Sequence, residues 1–253
     1  MLYILGCAAL GTGFPFLMTT LGAATVFFLR DPAHPRFQKI TLGFAAGVMT
    51  AASIWSLLLP AIEQTQLDAV YPAWLPAAAG ILIGVAFLGL LDSLLPHLHR
   101  AKQSGTLWRQ NALLATAITL HNIPEGMAVG LAFALSAQYG GMVGAAALAL
   151  GIGIQNFPEG AAVALPLRQE GHGRTRAFLG GMLSGAVEPV FGILTVLAAA
   201  GVRALMPWLL SFAAGAMLYV VVAELVPQSQ GKDGTCGYMV GFLMMMVLDV
   251  ALG

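Results

Sequence analysis

The sequence predicts an all-α membrane protein, a single polytopic domain over residues 1–253 that crosses the bilayer eight times. Its composition, the length of its apolar runs and the placement of its basic residues each predict this. Hydrophobic residues make up 58% of the chain and charged residues 9%, whereas a soluble domain carries about 25% charged residues. So few charges cannot cover so much apolar side chain in water, so the sequence predicts that most of the chain lies in lipid.

Eight apolar runs, separated by polar interruptions, account for the predicted spans. Each is close to the about 20 residues that a helix needs to cross the hydrocarbon. Their continuous apolarity favours helices over barrel strands, in which polar and apolar side chains alternate. In chain order the predicted spans cover about residues 2–29, 38–60, 72–95, 111–137, 140–167, 175–200, 204–226 and 235–252.

The basic residues orient these spans. Ten of the eleven Lys and Arg residues lie in the loops that follow odd-numbered spans, and Arg203 is the exception. Cytoplasmic loops carry an excess of Lys and Arg. Both termini are therefore expected on the outer side of the membrane.

Spans 2 and 7 contain a short internal repeat. Residues Gly43–Met49 read GFAAGVM, and residues Ser211–Met217 read SFAAGAM. Because span 2 runs outward and span 7 inward, the repeat is inverted and predicts that spans 1–3 and 6–8 are related across the membrane plane. Inverted repeats are typical of secondary transporters, which bind their substrate near the midplane.

Spans 4 and 5 carry a second repeat. Residues His121–Gly126 read HNIPEG, and residues Gln155–Gly160 read QNFPEG. An ionisable residue at the bilayer centre is unfavourable by about 2.5–3.5 kcal/mol and usually faces a bundle interior or a pathway. Two nearby carboxylates repel each other unless a positive group lies between them. The repeat therefore favours a cation site over a polar network that only fixes helix packing.

The spacing within each motif brings its ligands to one helix face. Residues four apart share a face, so His121 lies beside Glu125, and Gln155 lies beside Glu159. Imidazole, carboxylate and amide ligands suit zinc, Fe(II), Mn or Co, and they disfavour Cu(I), Mg and Ca. The predicted ligands on these two spans are His121, Asn122, Glu125, Gln155, Asn156 and Glu159.

Other polar residues are candidates for the site or for the ion path. Glu188, which precedes Pro189 in span 6, is expected to complete the site. Glu63 lies on the outer side, where it could attract cations. Asp249, near the end of span 8, could either form a structural hydrogen bond or lie on the ion path. For the other pathway candidates, the alternative to a role on the path is packing in the core or a solvated surface charge. The candidate pathway residues are Met49, Glu63, Asp92, Glu224, His97 and His99.

The paired motif resembles the signature of the ZIP (Zrt-, Irt-like) metal transporters, in particular their GufA-like bacterial branch. The likeness extends along nearly the whole chain and includes Leu42–Met49, Glu188-Pro189, Ala214–Met217 and Leu248-Asp249. It implies eight helices in a 3+2+3 inverted-repeat fold and a homodimer. It also implies inward transport of zinc, or of Cd, Fe, Mn or Co, across a bacterial plasma membrane.

The resemblance further implies a binuclear site and an elevator-like motion. The first metal position would be formed by His121, Glu125, Gln155 and Glu159, and the second by Asn122, Asn156 and Glu188, with Glu125 and Glu159 bridging. Spans 1, 4, 5 and 6 would slide against spans 2, 3, 7 and 8. Some relatives have Asp in place of Asn156, which leaves the second position of this chain with one charge fewer.

The remaining function classes are less compatible with the sequence. No GxxxxGKS or GxxxxGKT loop is present to bind ATP, no prosthetic group is expected, and a net charge of zero offers no basic face for nucleic acid. An intramembrane metalloprotease needs two His in an HExxH motif, whereas the spans contain one, so no enzyme is expected. A metal-selective channel stays the main alternative to a carrier.

Overall fold

The structure, a computed structural model, describes residues 2–28, 35–68, 72–100, 106–169, 171–201 and 203–252. Every regular element in these ranges is helical, which confirms the predicted all-α class. Six helical segments are long and apolar enough to cross a membrane: Leu2–Phe27, Arg36–Leu67, Trp74–Leu91, Arg174–Ala198, Met206–Gln228 and Lys232–Ala251.

The first third of the chain forms three of these segments. Helix α1 (Leu2–Ala24) ends in a 3-10 turn, Thr25–Phe27. Helix α2 (Pro35–Ala52) continues through a π-helical turn, Ser53–Leu58, into α3 (Leu59–Asp68). Helix α4 covers Trp74–Arg100.

Two long helices in the middle of the chain carry the polar motifs. Helix α5 (Thr106–Tyr139) has 34 residues and α6 (Met142–Gln169) has 28, and at 1.5 Å per residue both exceed the about 30 Å of hydrocarbon. They are not among the six apolar segments because the polar motifs lower their mean hydropathy. The total of eight spans therefore stays a prediction.

The last third begins with an interrupted helix. A single residue, Ala186, separates helix α7 (Arg174–Gly185) from helix α8 (Val187–Gly201). At the junction, the amide of Ala186 donates to the carbonyl of Leu183 at 3.2 Å, which is a 3-10 bond rather than an α-helical one. Pro189 cannot donate to the carbonyl four residues earlier, so the interruption places Glu188 in the first turn of a new helix.

The chain then turns twice more. A 3-10 turn, Arg203–Leu205, leads into α9 (Met206–Val220), a π-helical turn Val221–Leu225 and the short α10 (Val226–Gln228). Helix α11 covers Lys232–Leu252.

Four helix pairs make the most extensive contacts: α2 with α11, α4 with α9, α1 with α6, and α5 with α8. Glycines allow this close approach, as is common in membrane helices. A Cβ added at Gly47 would collide with the backbone of Tyr238, and one at Gly84 would collide with the backbone of Phe212. The inverted relation of spans 1–3 to spans 6–8 stays a prediction.

The two π-helical turns follow the FAAG repeat at the same distance. The first begins four residues after Met49 and the second four residues after Met217. Both methionines are fully buried in the main hydrophobic core. The matching turns add a structural likeness to the sequence repeat in spans 2 and 7.

Candidate metal centre

Helices α5, α6 and α8 bring a set of polar side chains into the interior of the protein. Five of them are 0% exposed, and Glu159 is 9% exposed. Buried polar groups of this kind are rare within apolar helices and usually mark a pathway or a binding site. The described members of the set are Asn122, Glu125, Gln155, Asn156, Glu159 and Glu188.

Each motif ends in a glycine, Gly126 or Gly160, whose lack of a side chain allows another helix to pack directly against the motif. A Cβ at Gly126 would lie 2.6 Å from the Cα of Glu188, and one at Gly160 would collide with the carbonyl of Thr19. The first motif can therefore pack directly against the start of α8, and the second against α1. Each glycine brings a further polar residue to the centre, Glu188 in one case and Thr19 in the other.

Amide groups of the motifs donate hydrogen bonds to protein acceptors. Gln155 Nε2 donates to Glu125 Oε1 at 2.6 Å, which joins the two motifs directly. Asn156 Nδ2 donates to Glu188 Oε1 at 2.9 Å, and Asn122 Nδ2 donates to the carbonyl of Ser184 at 2.9 Å. These bonds orient the three amide groups, and each leaves its oxygen atom unused.

Six buried oxygen atoms of this set have no hydrogen-bond partner within the described part of the chain: Asn122 Oδ1, Glu125 Oε2, Gln155 Oε1, Asn156 Oδ1, Glu159 Oε2 and Glu188 Oε2. Buried polar atoms are normally paired, and a group of exceptions requires an explanation. All six are electron-rich acceptors, so a cation placed among them would satisfy what the protein leaves unpaired. The donor set is all oxygen except for the contribution expected from His121.

The remaining predicted ligand lies outside the described side chains. His121 belongs to α5, four residues before Glu125, but its side chain is not described. Among the described residues, no three His, Cys, Asp or Glu side chains come close enough to hold one ion by themselves. Among the described side chains, a metal bound here would draw on amide oxygens, such as Gln155 Oε1, as well as carboxylates.

The candidate pathway residues fall into three groups. Met49 is fully buried in the core, so packing accounts for it. Glu63 is exposed, and Glu224 is half-buried in the second π-helical turn. The side chains of Asp92, His97 and His99 lie outside the described residues.

A cavity of about 400 Å³ lies beside Glu63 and is lined by Ser56, Gln64 and Asp249, among others. Ser56 Oγ donates to Asp249 Oδ1 at 2.5 Å, so the hydrogen bond left open for Asp249 is present. Asp249 Oδ2 and both side-chain polar atoms of Gln64 are buried without a partner among the described residues. The lining of this cavity therefore includes buried polar atoms that the described residues leave unpaired.

Sequence reasoning did not identify Thr19, Ser56 or Gln64. A hydroxyl or amide in a membrane helix usually bonds to its own backbone, so these residue types carry little signal. The FAAG repeat offers one retrospective indication, because Ser56 corresponds to Glu224 when the two copies are aligned.

This chain is similar to known proteins over most of its length. The family model described as ZIP Zinc transporter matches residues 108–249. Zinc transporter ZIP11 of Homo sapiens is 36% identical, over 97% of this chain and 97% of that protein. Zinc transporter GufA of Myxococcus xanthus is 40% identical over 93% and 94%, and Zinc transporter ZIPB of Bordetella bronchiseptica is 38% identical over 98% and 82%.

Proposed function

Because this chain belongs to the ZIP family of zinc transporters, we propose that it carries zinc into the cytoplasm by alternating access. Membership places it in a transport family rather than an enzyme family. The observation that supports the proposal most strongly is the group of six unpaired oxygen atoms contributed by α5, α6 and α8. Cd, Fe, Mn and Co, which suit the same ligand types, are proposed as further substrates.

The proposed centre holds one or two ions. His121, Glu125, Gln155 and Glu159 form the first position, and Asn122, Asn156 and Glu188 form the second. The bond from Gln155 to Glu125 supports the first group, because it holds ligands of two helices together before an ion arrives. The bond from Asn156 to Glu188 does the same for the second group.

The proposed membrane arrangement has eight spans, both termini outside, and two chains in a homodimer in a bacterial plasma membrane. The two segments added to the six apolar ones are α5 and α6, whose lengths are sufficient. The described polar residues of their motifs, Asn122, Glu125, Gln155, Asn156 and Glu159, are buried, and such burial is what allows polar side chains at membrane depth.

The proposed motion separates the helices into two groups. Helices α1, α5, α6, α7 and α8 pack mainly among themselves, and the other close pairs are α2 with α11 and α4 with α9. The first group holds the metal centre and would slide against the second. The contacts support this division, because the most extensive ones lie within the groups.

We assign the outer approach to the cavity beside Glu63. Glu63 and Asp249 supply negative charge, and Ser56 and Gln64 supply neutral oxygens. On the inner side, we propose that the ion contacts four residues along its path: Asp92, Glu224, His97 and His99. Met49 lies within the core itself, and its place on the path rests on the sequence prediction alone.

Zinc influx into proteoliposomes, followed with a trapped indicator, tests the proposal. The protein should give saturable influx that Glu125→Gln and Glu159→Gln abolish. Asp233→Asn is a matched control, because this acid pairs with Arg36 at 3.1 Å on the surface, away from the centre. Normal influx in both motif variants would refute the proposed site, and influx that rises linearly with zinc concentration would instead indicate a channel.

A further inference from the structure

Thr19 lies outside both motifs, on α1, yet its hydroxyl reaches the proposed metal centre. The residue is 0% exposed. Its Oγ1 lies 3.2 Å from the carbonyl of Pro15 and 3.3 Å from Glu188 Oε1. The first contact is the ordinary one for a threonine in a membrane helix, whereas the second joins α1 to a buried carboxylate of another helix.

Glu188 is held through only one of its two oxygens. Oε1 is within hydrogen-bond distance of Thr19 and accepts from Asn156 Nδ2, so α1 and α6 each supply one donor. Oε2 has no partner within the described residues. Two groups in contact with one oxygen restrict the rotation of the carboxylate and leave the other oxygen available to a ligand.

We propose that Thr19 is a positioning residue that orients the Glu188 carboxylate for metal capture without touching the ion. This inference rests on the proposed function, in which Glu188 is a metal ligand. The two acceptors available to Thr19 suit this role. When Glu188 turns onto an ion, the hydroxyl can donate to Pro15 instead, so no buried donor is left unpaired in either state.

The packing around Thr19 allows its hydroxyl to be tested separately from its shape. A Cβ added at Gly185 would lie 2.8 Å from both the Cβ and the Cγ2 of Thr19, so this threonine fills its space tightly. Valine has nearly the same shape and lacks the hydroxyl, whereas serine keeps the hydroxyl and lacks one methyl. The two substitutions therefore alter one property each.

Thr12 provides a matched control on the same helix. It is also 0% exposed, and its hydroxyl donates to the carbonyl of Ala8 at 2.7 Å. It packs against Gly192 of α8 and lies two turns away from Thr19. Thr12→Val removes a buried hydroxyl of the same kind from the same pair of helices.

The experiment measures zinc binding to the purified full-length protein by titration calorimetry, together with the KM and maximal rate of influx in proteoliposomes. Thr19→Val should raise the Kd and the KM about three- to tenfold, which is the range expected for the loss of one ordinary hydrogen bond, because the contact is long, at 3.3 Å. The maximal rate should change less. Thr19→Ser, which keeps the hydroxyl, and the control Thr12→Val should both bind zinc with the wild-type Kd.

A double-mutant cycle tests whether Thr19 acts through Glu188. In a Glu188→Gln background, Thr19→Val should change the Kd less than twofold, because the group to be positioned has been replaced. Any of three results would overturn the inference: an equally large effect of Thr19→Val in the Glu188→Gln background, a wild-type Kd in Thr19→Val alone, or a Kd in Thr19→Ser as high as that of Thr19→Val. If Glu188→Gln alone binds and transports zinc normally, that result would refute the role of Glu188 as a metal ligand in the proposed function, rather than the role of Thr19.

Discussion

Substitution of Gly126 by alanine is expected to separate Glu188 from Glu125 without removing any ligand. The added Cβ would lie 2.6 Å from the Cα and 2.8 Å from the carbonyl carbon of Glu188, and it would collide with the carbonyl oxygen. All three atoms belong to backbone, which cannot turn aside as a side chain does. Relief therefore requires that α8 move away from α5.

The size of this movement follows from the contact distances. Carbon atoms in ordinary contact are about 3.5–4.0 Å apart, so the start of α8 must shift by about 1 Å. Overpacking of this kind costs about 1–3 kcal/mol of folding stability. Binding sites need their groups held within about 0.5 Å, and a misplacement of about 1 Å can reduce activity about 100-fold.

The assay compares Gly126→Ala with Gly13→Ala. Gly13 lies on α1, and a Cβ added there has no atom within 4 Å among the described residues, so the same chemical change meets open space. We expect zinc influx to fall at least tenfold in Gly126→Ala, with a lower melting temperature in detergent, and to be unchanged in Gly13→Ala. Equal influx in the two variants would refute the argument that close contact between α5 and α8 positions the centre.

Three further predictions concern binding, pH and the outer cavity. Gln155→Leu removes both the donor to Glu125 and an unpaired oxygen, and it should weaken zinc binding at least tenfold in calorimetry, whereas Gln155→Glu should bind zinc. Influx should fall as the outer pH is lowered from about 7 to about 5, because zinc must displace protons from its ligands; a rate that climbs through this range would contradict the sign. Asp249→Asn should raise the KM for influx severalfold and leave the maximal rate nearly unchanged, because it removes charge from the outer approach but not from the centre; an equal fall in both parameters would argue against that placement.

The helical fold could be predicted because lipid imposes a simple rule on composition. Apolar runs of sufficient length predict helices wherever they occur, and the structure has helices in all eight segments. The break at Ala186 and the two π-helical turns were not predicted. They depend on which backbone amide bonds to which carbonyl, and the adjacent Ala, Val and Leu side chains do not indicate that hydrogen-bond pattern.

The burial of Asn122, Glu125, Gln155, Asn156, Glu159 and Glu188 agrees with the predicted interior position, and their role as metal ligands stays a prediction. Which of these side chains bond to each other was not predicted. Equal spacing in the two motifs suggested that side chains four apart, such as Gln155 and Glu159, act together. The hydrogen bonds instead run between helices, from Gln155 to Glu125 and from Asn156 to Glu188. Such bonds depend on the distance between helices, which Gly126 and Gly160 control through contacts that a single sequence does not reveal.

The short connection between α5 and α6 bears on how this protein enters the membrane. Only Gly140 and Gly141 separate the helices, with φ of 89° and 94°, values that side-chain-bearing residues rarely adopt. If α5 and α6 are membrane spans, as proposed, so short a connection favours their insertion as one hairpin. A helix that carries Glu125 alone would meet lipid with an acid at its centre, at a cost of about 2.5–3.5 kcal/mol. Within the hairpin, Gln155 already donates to one oxygen of that acid, which lowers the cost of inserting the two polar helices together.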